Sequence, residues 1–393
     1  FDNSAGTVRA GSLDIASAGE LVNTGGTLAS EGDAALRAGG GLNNPRGTIT
    51  AAGAMGVEVA GAIHNGAGTL ASNGALTIAA DSLTNQAGAI RAAGASPLGI
   101  TIAGLLDNRQ GEIGAGGNAT LAAGALDNDA GRITAAGDLL AHVGGAASNR
   151  AGTLAANGST TLTAGSYDNH GGTTAAVDGD LTVTTGGATT NAGGTMQAGG
   201  ATLLANAGLD NTQGRIFGER IGVDTHGQQF ANGQGTLAAT NAVDLQTGAL
   251  VNDAGLIQSG GAMSIDTHGQ SLGNANAAGH ASGQGGITSA GALGIDAGAV
   301  NNAGGFIGAK GALTANTQNV SNTAGGLVLG QEGVSIHTNG GAYDNAGGQT
   351  QAVGELTLSG AGVDNTAGLL RSGGATTVAV GGGAVLNTGT QAA

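Results

Sequence analysis

Candidate chemistry is concentrated in the stretch GALDNDAGRITAAGDL (residues 124–139). It contains three carboxylates, an amide and a guanidinium, which are Asp127, Asn128, Asp129, Arg132 and Asp138. Oxygen ligands of this kind suit hard cations, and a guanidinium among carboxylates could polarise a substrate. Whether the stretch is a site or an architectural motif depends on how often it recurs, because recurrence at a fixed period is typical of repeat proteins.

The stretch does recur, and its asparagine repeats along the whole chain. The repeated asparagines are Asn3, Asn23, Asn44, Asn65, Asn85, Asn108, Asn128, Asn149, Asn169, Asn191, Asn211, Asn232, Asn252, Asn274, Asn302, Asn322, Asn345, Asn365 and Asn387. Neighbours lie 20 to 23 residues apart, except that 28 residues separate Asn274 from Asn302. Glycine follows three residues later in 17 of the 19 copies. We therefore interpret Asn128 and Gly131 as repeat positions.

Within one copy, apolar or small residues alternate with polar ones. After Asn128 the alternating set is Gly131, Ile133, Ala135, Gly137, Leu139, Ala141 and Val143. A period of two is typical of strands with one buried face, and each glycine costs about 1 kcal/mol in a helix. Propeller blades need about 40–45 residues and usually a tryptophan, which the chain lacks. Short strands in stacked coils of about 20 residues fit the pattern better.

The pattern predicts an all-β fold, a right-handed parallel β-helix of about 18–19 coils with 20–23 residues in each. We interpret residues 1–393 as a single β-helix segment of a longer protein, with an inserted loop at 275–286. The asparagines are expected to stack, so that each amide donates and accepts along a structural ladder at one turn. Asparagine tolerates the left-handed conformation, and the glycine three residues later is expected to accept the φ that the bend needs.

The composition restricts the possible partners. The net charge is −15 with only 11 basic residues, which argues against nucleic acid and anionic membrane surfaces as ligands. No apolar run approaches the roughly 18 residues of a membrane helix, so we expect no membrane insertion. Cysteine is absent, which excludes thiol catalysis and cysteine-based zinc sites. The 40% hydrophobic residues argue against disorder.

With the repeat laid out, the chain resembles the haemagglutinin repeats of filamentous haemagglutinins and contact-dependent growth-inhibition exoproteins. The best matching segments are LLDNRQGEIGAGG (105–117), ALDNDAGRITAAGD (125–138), GLDNTQGRIFG (208–218) and GVDNTAGLLRSGG (362–374). The resemblance implies an adhesive or toxin-presenting filament of the two-partner secretion type. It also implies export through an outer-membrane β-barrel transporter, location at the cell surface or outside the cell, and a host or bacterial receptor or glycan as a partner.

Several residue sets suggest ligand sites, and each also has a structural interpretation. Aspartates that precede the repeated asparagine could form a cation-binding column: Asp2, Asp107, Asp127, Asp168, Asp210, Asp344 and Asp364. We favour solvated outward residues, and we expect Asp107 and Asp127 not to share a cation. His226 and His268 each lie in an Asp-Thr-His-Gly-Gln motif, but two coils would separate them by about 10 Å, too far for one zinc ion.

Two further sets complete the candidates. Threonines four residues after the asparagine could bind ice or carbohydrate, although β-propensity also explains them: Thr7, Thr27, Thr48, Thr69, Thr153, Thr173, Thr195 and Thr236. In the inserted loop, His280 and Gln284 are the candidates for a specific contact.

A polysaccharide-active β-helix enzyme would need grouped carboxylates. The seven glutamates are scattered instead, at Glu20, Glu31, Glu58, Glu112, Glu219, Glu332 and Glu355. We therefore predict a non-enzymatic protein without catalytic, cofactor or metal residues. Its expected role is that of a structural and adhesive stalk, with a carbohydrate- or receptor-binding module as the alternative.

Overall fold

The computed structural model describes residues 1–276 and 285–389. All regular secondary structure in those ranges is β-strand. No helix in them is long and apolar enough to cross a membrane. The chain forms two compact units, Phe1–Thr190 with Gly194–Gly200, and Asn191–Gly193 with Ala201–Ala393.

In the first unit, each coil contains three short strand segments separated by turns. The strands are β1 (Thr7–Ala10), β2 (Leu13–Ser17), β3 (Leu21–Val22), β4 (Thr27–Ser30), β5 (Ala34–Ala38), β6 (Leu42–Asn43), β7 (Thr48–Ala51), β8 (Met55–Val59), β9 (Ala62–His64), β10 (Thr69–Ser72), β11 (Leu76–Ala80), β12 (Ser82–Thr84), β13 (Ala89–Ala92), β14 (Leu98–Asp107), β15 (Glu112–Ala115), β16 (Ala119–Asp127), β17 (Arg132–Ala135), β18 (Leu139–Val143), β19 (Ala146–Ser148), β20 (Thr153–Ala156), β21 (Thr160–Ala164), β22 (Ser166–Asp168), β23 (Thr173–Ala176), β24 (Leu181–Thr185), β25 (Thr189–Thr190) and β26 (Thr195–Ala198). In β14 and β16 the second and third segments run on as one strand, and the register shifts between Ile102 and Leu105, where the neighbouring coil has its corner between β11 and β12.

The second unit follows the same plan. Its strands are β27 (Ala201–Ala205), β28 (Leu209–Asp210), β29 (Arg215–Asp224), β30 (Phe230–Ala231), β31 (Thr236–Gln246), β32 (Leu250–Val251), β33 (Leu256–Ser259), β34 (Met263–Asp266), β35 (Leu272–Gly273), β36 (Gly286–Ser289), β37 (Leu293–Asp296), β38 (Ala299–Asn301), β39 (Phe306–Ala309), β40 (Ala312–Thr317), β41 (Asn319–Ser321), β42 (Leu327–Gly330), β43 (Gly333–Thr338), β44 (Ala342–Asp344), β45 (Gln349–Ala352), β46 (Glu355–Gly360), β47 (Gly362–Asp364), β48 (Leu369–Ser372), β49 (Thr376–Val380) and β50 (Val385–Leu386). Here β29 and β31 join the first and second segments.

Each strand pairs in parallel with its equivalent one coil later. In the first unit β4 pairs with β7 and β7 with β10, which places Leu28, Ile49 and Leu70 in one column. These three side chains are completely buried, whereas their outward neighbours along each strand are only half-buried. The sequence-based prediction of a parallel β-helix with roughly 21 residues per coil is therefore confirmed.

Candidate functional site: the asparagine turn

The repeated asparagines lie at the turn that precedes the first strand of each coil. Most are completely buried, and each side-chain Nδ2 donates to Oδ1 of the asparagine one coil later over 2.7 to 2.8 Å. In the first unit these bonds link the nine asparagines from Asn3 to Asn169. In the second they link the ten from Asn191 to Asn387. All of these bonds point in the same direction along the chain.

The same Nδ2 group also satisfies backbone carbonyls of the turn. Asn44 Nδ2 lies 2.7 Å from Asn65 Oδ1, 3.2 Å from the carbonyl oxygen of Gly47 and 3.2 Å from that of Thr69. The amide therefore ties its own turn to the next coil by its side chain as well as by backbone bonds. Because buried polar groups without partners are costly, the side chain both fits the turn and is needed there.

The left-handed residue of the turn is neither of the two that the sequence indicated. It lies two residues after the asparagine, with φ between 51° and 81° in every described copy. These residues are Ala5, Gly25, Arg46, Ala67, Ala87, Gln110, Ala130, Ala151, Gly171, Gly193, Gln213, Gln234, Ala254, Asn276, Gly304, Ala324, Gly347, Ala367 and Gly389. The expectation that the asparagine and the following glycine supply this conformation is therefore wrong, except that Gly325 in the Asn322 copy also has a positive φ, of 79°.

The glycine at the third position is required by close packing instead. A Cβ on Gly47 would lie 2.1 Å from the backbone oxygen of Asn23 and 2.3 Å from Oδ1 of Asn44. The same collision recurs up the column, for example at Gly131, where the oxygen of Asn108 would be 2.2 Å away. The turn of one coil thus lies directly on the asparagine carbonyl of the coil before it.

The aspartates before the asparagine stabilise this turn, and Asp107 among them is buried rather than solvated as the sequence suggested. In all seven, Oδ1 accepts the backbone N–H two residues later, over 2.8 to 3.1 Å. This is the Asx-turn geometry, which holds the chain as it enters the left-handed residue. The hydrogen bonds from Ser4 lower the pKa of Asp2, and those from Thr366 lower the pKa of Asp364. The sequence-based interpretation as merely solvated residues missed this bond, although Asp followed by a turn signal indicates it.

Asp107 and Asp127 are register partners in adjacent coils, as a shared cation would require. The space beside them is occupied by Arg109, whose Nη2 lies 2.8 Å from Asp107 Oδ2 and whose Nε lies 3.4 Å from Asp127 Oδ2. Burial raises the pKa of Asp107, but the bonds from Arg109 and Gln86 together lower it more, so the net shift is downward. Within residues 1–276 and 285–389 no group of three or more metal-ligating side chains occurs.

The ionic contacts of the opening motif continue into later coils. Asp129 accepts from the Ser148 hydroxyl and from the backbone N–H of Arg150. The Arg150 Nε in turn lies 2.5 Å from Asp168 Oδ2, and that carboxylate raises the pKa of the guanidinium. Of the charges that suggested a catalytic or cation site, Asp127 contacts Arg109, whereas Asp129 accepts a hydroxyl and a backbone N–H. Asp138 Oδ1 accepts the backbone N–H of Ser159, so these carboxylates have separate partners and do not converge on one point.

The two Asp-Thr-His-Gly-Gln motifs form matching corners between second and third strands. His226 Nδ1 lies 3.0 Å from the carbonyl oxygen of Asn206, and His268 Nδ1 lies 2.9 Å from that of Thr247. Each histidine has positive φ, and its backbone N–H donates to the aspartate of its own motif. The pKa of His268 is raised mainly by its hydrogen bond to the Thr247 carbonyl, and also by the negative charge of Asp266. Both histidines thus contact the preceding coil, an arrangement that explains the duplicated motif.

Two buried tyrosines were not singled out by the sequence patterns. Tyr167 and Tyr343 each replace an aliphatic residue two positions before a ladder asparagine, and both are 2% exposed. The Tyr167 hydroxyl lies 2.6 Å from Thr174 Oγ1, and the Tyr343 hydroxyl lies 2.5 Å from Thr350 Oγ1. Burial raises the pKa of both tyrosines strongly. The duplicated pattern Tyr-Asp-Asn-x-Gly-Gly-x-Thr is the signal that could have revealed them.

The structure brings the threonine candidates together in columns on the outer face of the first strands. Thr27, Thr48 and Thr69 are register partners on the outer, half-buried face of the first strands. A shallow open depression on the second strands of the first unit contains Arg37 and Glu58 among alanines, glycines and threonines. No grouped carboxylates line this depression. The predicted contact residues His280 and Gln284 lie outside the described residues.

A family model for the haemagglutinin repeat matches residues 1–96, 95–158, 141–216, 218–288, 271–341 and 330–392. The chain belongs to the haemagglutinin repeat family. Comparisons with curated proteins and with solved structures find no match. Haemagglutinin repeats indicate a secreted or cell-surface exoprotein, and together with the β-solenoid they indicate an adhesin-like, structural filament segment.

Proposed function

We propose that this haemagglutinin repeat chain is a stalk: one β-helical segment of a longer exoprotein that provides reach and rigidity for adhesion or for presenting a distal effector. The observation that carries the proposal is the continuous asparagine ladder within each unit. The left-handed residue is kept at the same position from copy to copy, and the carboxylates around the turn hold separate hydrogen-bond partners rather than converging in a cleft. Such uniformity suits a scaffold better than a ligand site.

A binding test separates the stalk from the alternative. A glycan array probed with this fragment alone should remain silent if the segment is a stalk. Saturable binding of one carbohydrate class would support the carbohydrate-binding module instead. A folded-state control, the parallel-β circular dichroism spectrum of the same preparation, ensures that silence reflects the native solenoid.

We further propose that an outer-membrane β-barrel transporter exports the chain and that folding of coils outside favours export. Each added coil buries aliphatic side chains and adds one ladder bond. Replacing Asn108, Asn128 and Asn149 by alanine should slow secretion. Alanine at the exposed Asn73 and Asn157, whose side chains carry no hydrogen bond in the described structure, should leave it unchanged. Equal export of both variants would contradict this role of the ladder.

A further inference from the structure

Five Asn-Gly dipeptides occur in the chain, starting at Asn65, Asn73, Asn157, Asn232 and Asn339. Asn-Gly is chemically labile, because glycine has no Cβ to hinder its backbone nitrogen from approaching the preceding side chain. We propose that the fold protects four of these sites and leaves Asn339 as a site of spontaneous deamidation. The structure places the five asparagines in three different environments, and these environments decide the outcome.

The chemistry requires movement at both residues of the dipeptide. The Gly340 backbone nitrogen gives its proton to a base in solvent and attacks Cγ of Asn339. The new N–Cγ bond forms, the Cγ–Nδ2 bond breaks, and Nδ2 leaves as ammonia with a proton from water. Water then opens the succinimide at either carbonyl, giving aspartate or isoaspartate. Nothing is oxidised or reduced, and water is the only co-reactant.

Asn65 and Asn232 belong to the ladder, which protects them. Both are 0% exposed. Asn65 Nδ2 lies 2.7 Å from Asn85 Oδ1, and Asn232 Nδ2 lies 2.7 Å from Asn252 Oδ1. Ring closure would have to rotate the side chain out of the column and release ammonia from a buried position. The architectural asparagines are therefore the least reactive of the five.

Asn73 and Asn157 are exposed, but the following glycine nitrogen is held by the coil before it. Gly74 N donates to the Gly53 carbonyl over 2.9 Å, and Gly158 N donates to that of Gly137 over 3.0 Å. These backbones are also tightly packed. A Cβ on Gly74 would lie 2.7 Å from Ala54 N, and one on Gly158 would lie 2.2 Å from Asp138 Oδ1. The nucleophilic nitrogen can turn toward Cγ only if an inter-coil bond opens.

Asn339 has neither protection. Its side chain is exposed at the corner between β43 and β44, and it carries no hydrogen bond in the described structure. Gly340 N donates only within the corner, to the Thr338 carbonyl at 2.8 Å. Gly340 has φ of 84°, and a Cβ placed there would meet nothing within 4 Å. The nitrogen can therefore rotate toward Cγ without disturbing the contacts between coils.

The test is peptide mapping of the intact folded chain after incubation in mildly alkaline buffer. Mass spectrometry follows the conversion of each Asn-Gly peptide, and isoaspartyl methyltransferase labels the isoaspartate product. We expect the reaction at Asn339 to be about tenfold or more faster than at Asn73 and Asn157, because those sites must first open a backbone hydrogen bond between coils. In denaturant the five rates should converge, since all five share the same dipeptide.

Two matched variants sharpen the result. Asn339→Gln should remove most of the methyltransferase signal of the folded protein, whereas Asn157→Gln should leave it nearly unchanged. Reaction at Asn73 or Asn157 as fast as at Asn339 in the folded chain would overturn the proposal. So would an undiminished signal in the Asn339→Gln variant. The wild-type peptide map gives the same decision without any substitution.

Discussion

Asn128 Nδ2 donates to Asn149 Oδ1 over 2.7 Å, between residues 21 positions apart in the chain. Asn128 Oδ1 in turn accepts from Asn108, so one side chain acts as both donor and acceptor in the column. Aspartate would lose the donor and alanine would lose both functions. The ladder therefore depends on asparagine itself and not on polarity alone.

Asn128→Ala should lower the free energy of unfolding of the folded chain by about 3 kcal/mol, because it leaves buried partners above and below without hydrogen bonds. Denaturant unfolding followed by circular dichroism measures this loss. Asn157→Ala is the control, since its side chain is exposed and carries no hydrogen bond in the described structure, and its effect should stay within about 0.5 kcal/mol. Equal effects of the two substitutions would contradict the structural role of the ladder.

Gly47→Ala should be among the most destabilising single methyl additions in the first unit. Its Cβ would lie 2.1 Å from the Asn23 carbonyl oxygen, so one coil would have to move away from the next, at a cost of about 3 kcal/mol. Gly56→Ala is the matched control, because the nearest atom to its Cβ is Thr77 Oγ1 at 3.7 Å. If both variants melt at the wild-type temperature, the packing explanation of the repeat glycine is wrong.

Thr317→Val should stabilise the second unit. Thr317 Oγ1 is buried without a hydrogen-bond partner, and valine removes that hydroxyl while keeping the shape, a gain of about 1 kcal/mol. Its register partner Thr338 is the control, because Thr338 Oγ1 donates to the Gly341 carbonyl over 2.7 Å. Thr338→Val should destabilise, and paired thermal melts test the opposite signs. Destabilisation by both substitutions would contradict the inference that the unpaired Thr317 hydroxyl costs stability.

Stability should fall in alkaline solution because of the two buried tyrosines. Burial raises the pKa of Tyr167 and Tyr343 in the folded state. Their contribution is complete below the unfolded pKa of about 10 and is lost as pH rises above it. The midpoint of alkaline unfolding, followed by circular dichroism, should move upward in a Tyr167→Phe/Tyr343→Phe double variant, which contains no tyrosine. An unchanged midpoint would show that other groups control alkaline unfolding.

Arg109→Ala should make the buried Asp107 carboxylate destabilising at pH values above the usual carboxyl pKa. In the wild type the folded-state pKa of Asp107 is lowered, so its contribution to stability is present above about 3.9 and is lost as pH falls through the folded value. Without the guanidinium the variant should be less stable at neutral pH and approach the wild type on acidification. A stability difference independent of pH would contradict this, and Arg37→Ala, at an exposed ion pair, serves as the control.

The period, the strands and the buried aliphatic columns could be predicted because they depend on residue types at fixed spacing. Ile133 and Leu154, for example, are register partners and completely buried. The position of the left-handed residue could not be predicted, because alanine, glutamine, arginine and glycine all occupy it. Neither could the reason for the glycine, since the clash arises with the carbonyl of the neighbouring coil and with the folded-in asparagine side chain of the same turn.

The contacts of the candidate site were predicted less completely from the sequence than the fold was. Sequence spacing correctly indicated that Asp107 and Asp127 are neighbours in adjacent coils. It did not indicate that Arg109, only two residues after Asp107, folds back to bind both carboxylates. Side-chain direction at a turn depends on the backbone conformation of that turn, which composition leaves open.

The ladder has a consequence for how such chains tolerate insertions. Asn274 Nδ2 reaches Asn302 Oδ1 over 2.7 Å although 28 residues separate them, and Asn302 reaches Asn322 over the same distance across 20. The hydrogen bond between asparagine side chains therefore keeps the same spacing between coils, whatever the length of the chain between them. Foreign sequence placed between two asparagines would lengthen one coil locally and leave the stacking of all later coils in phase.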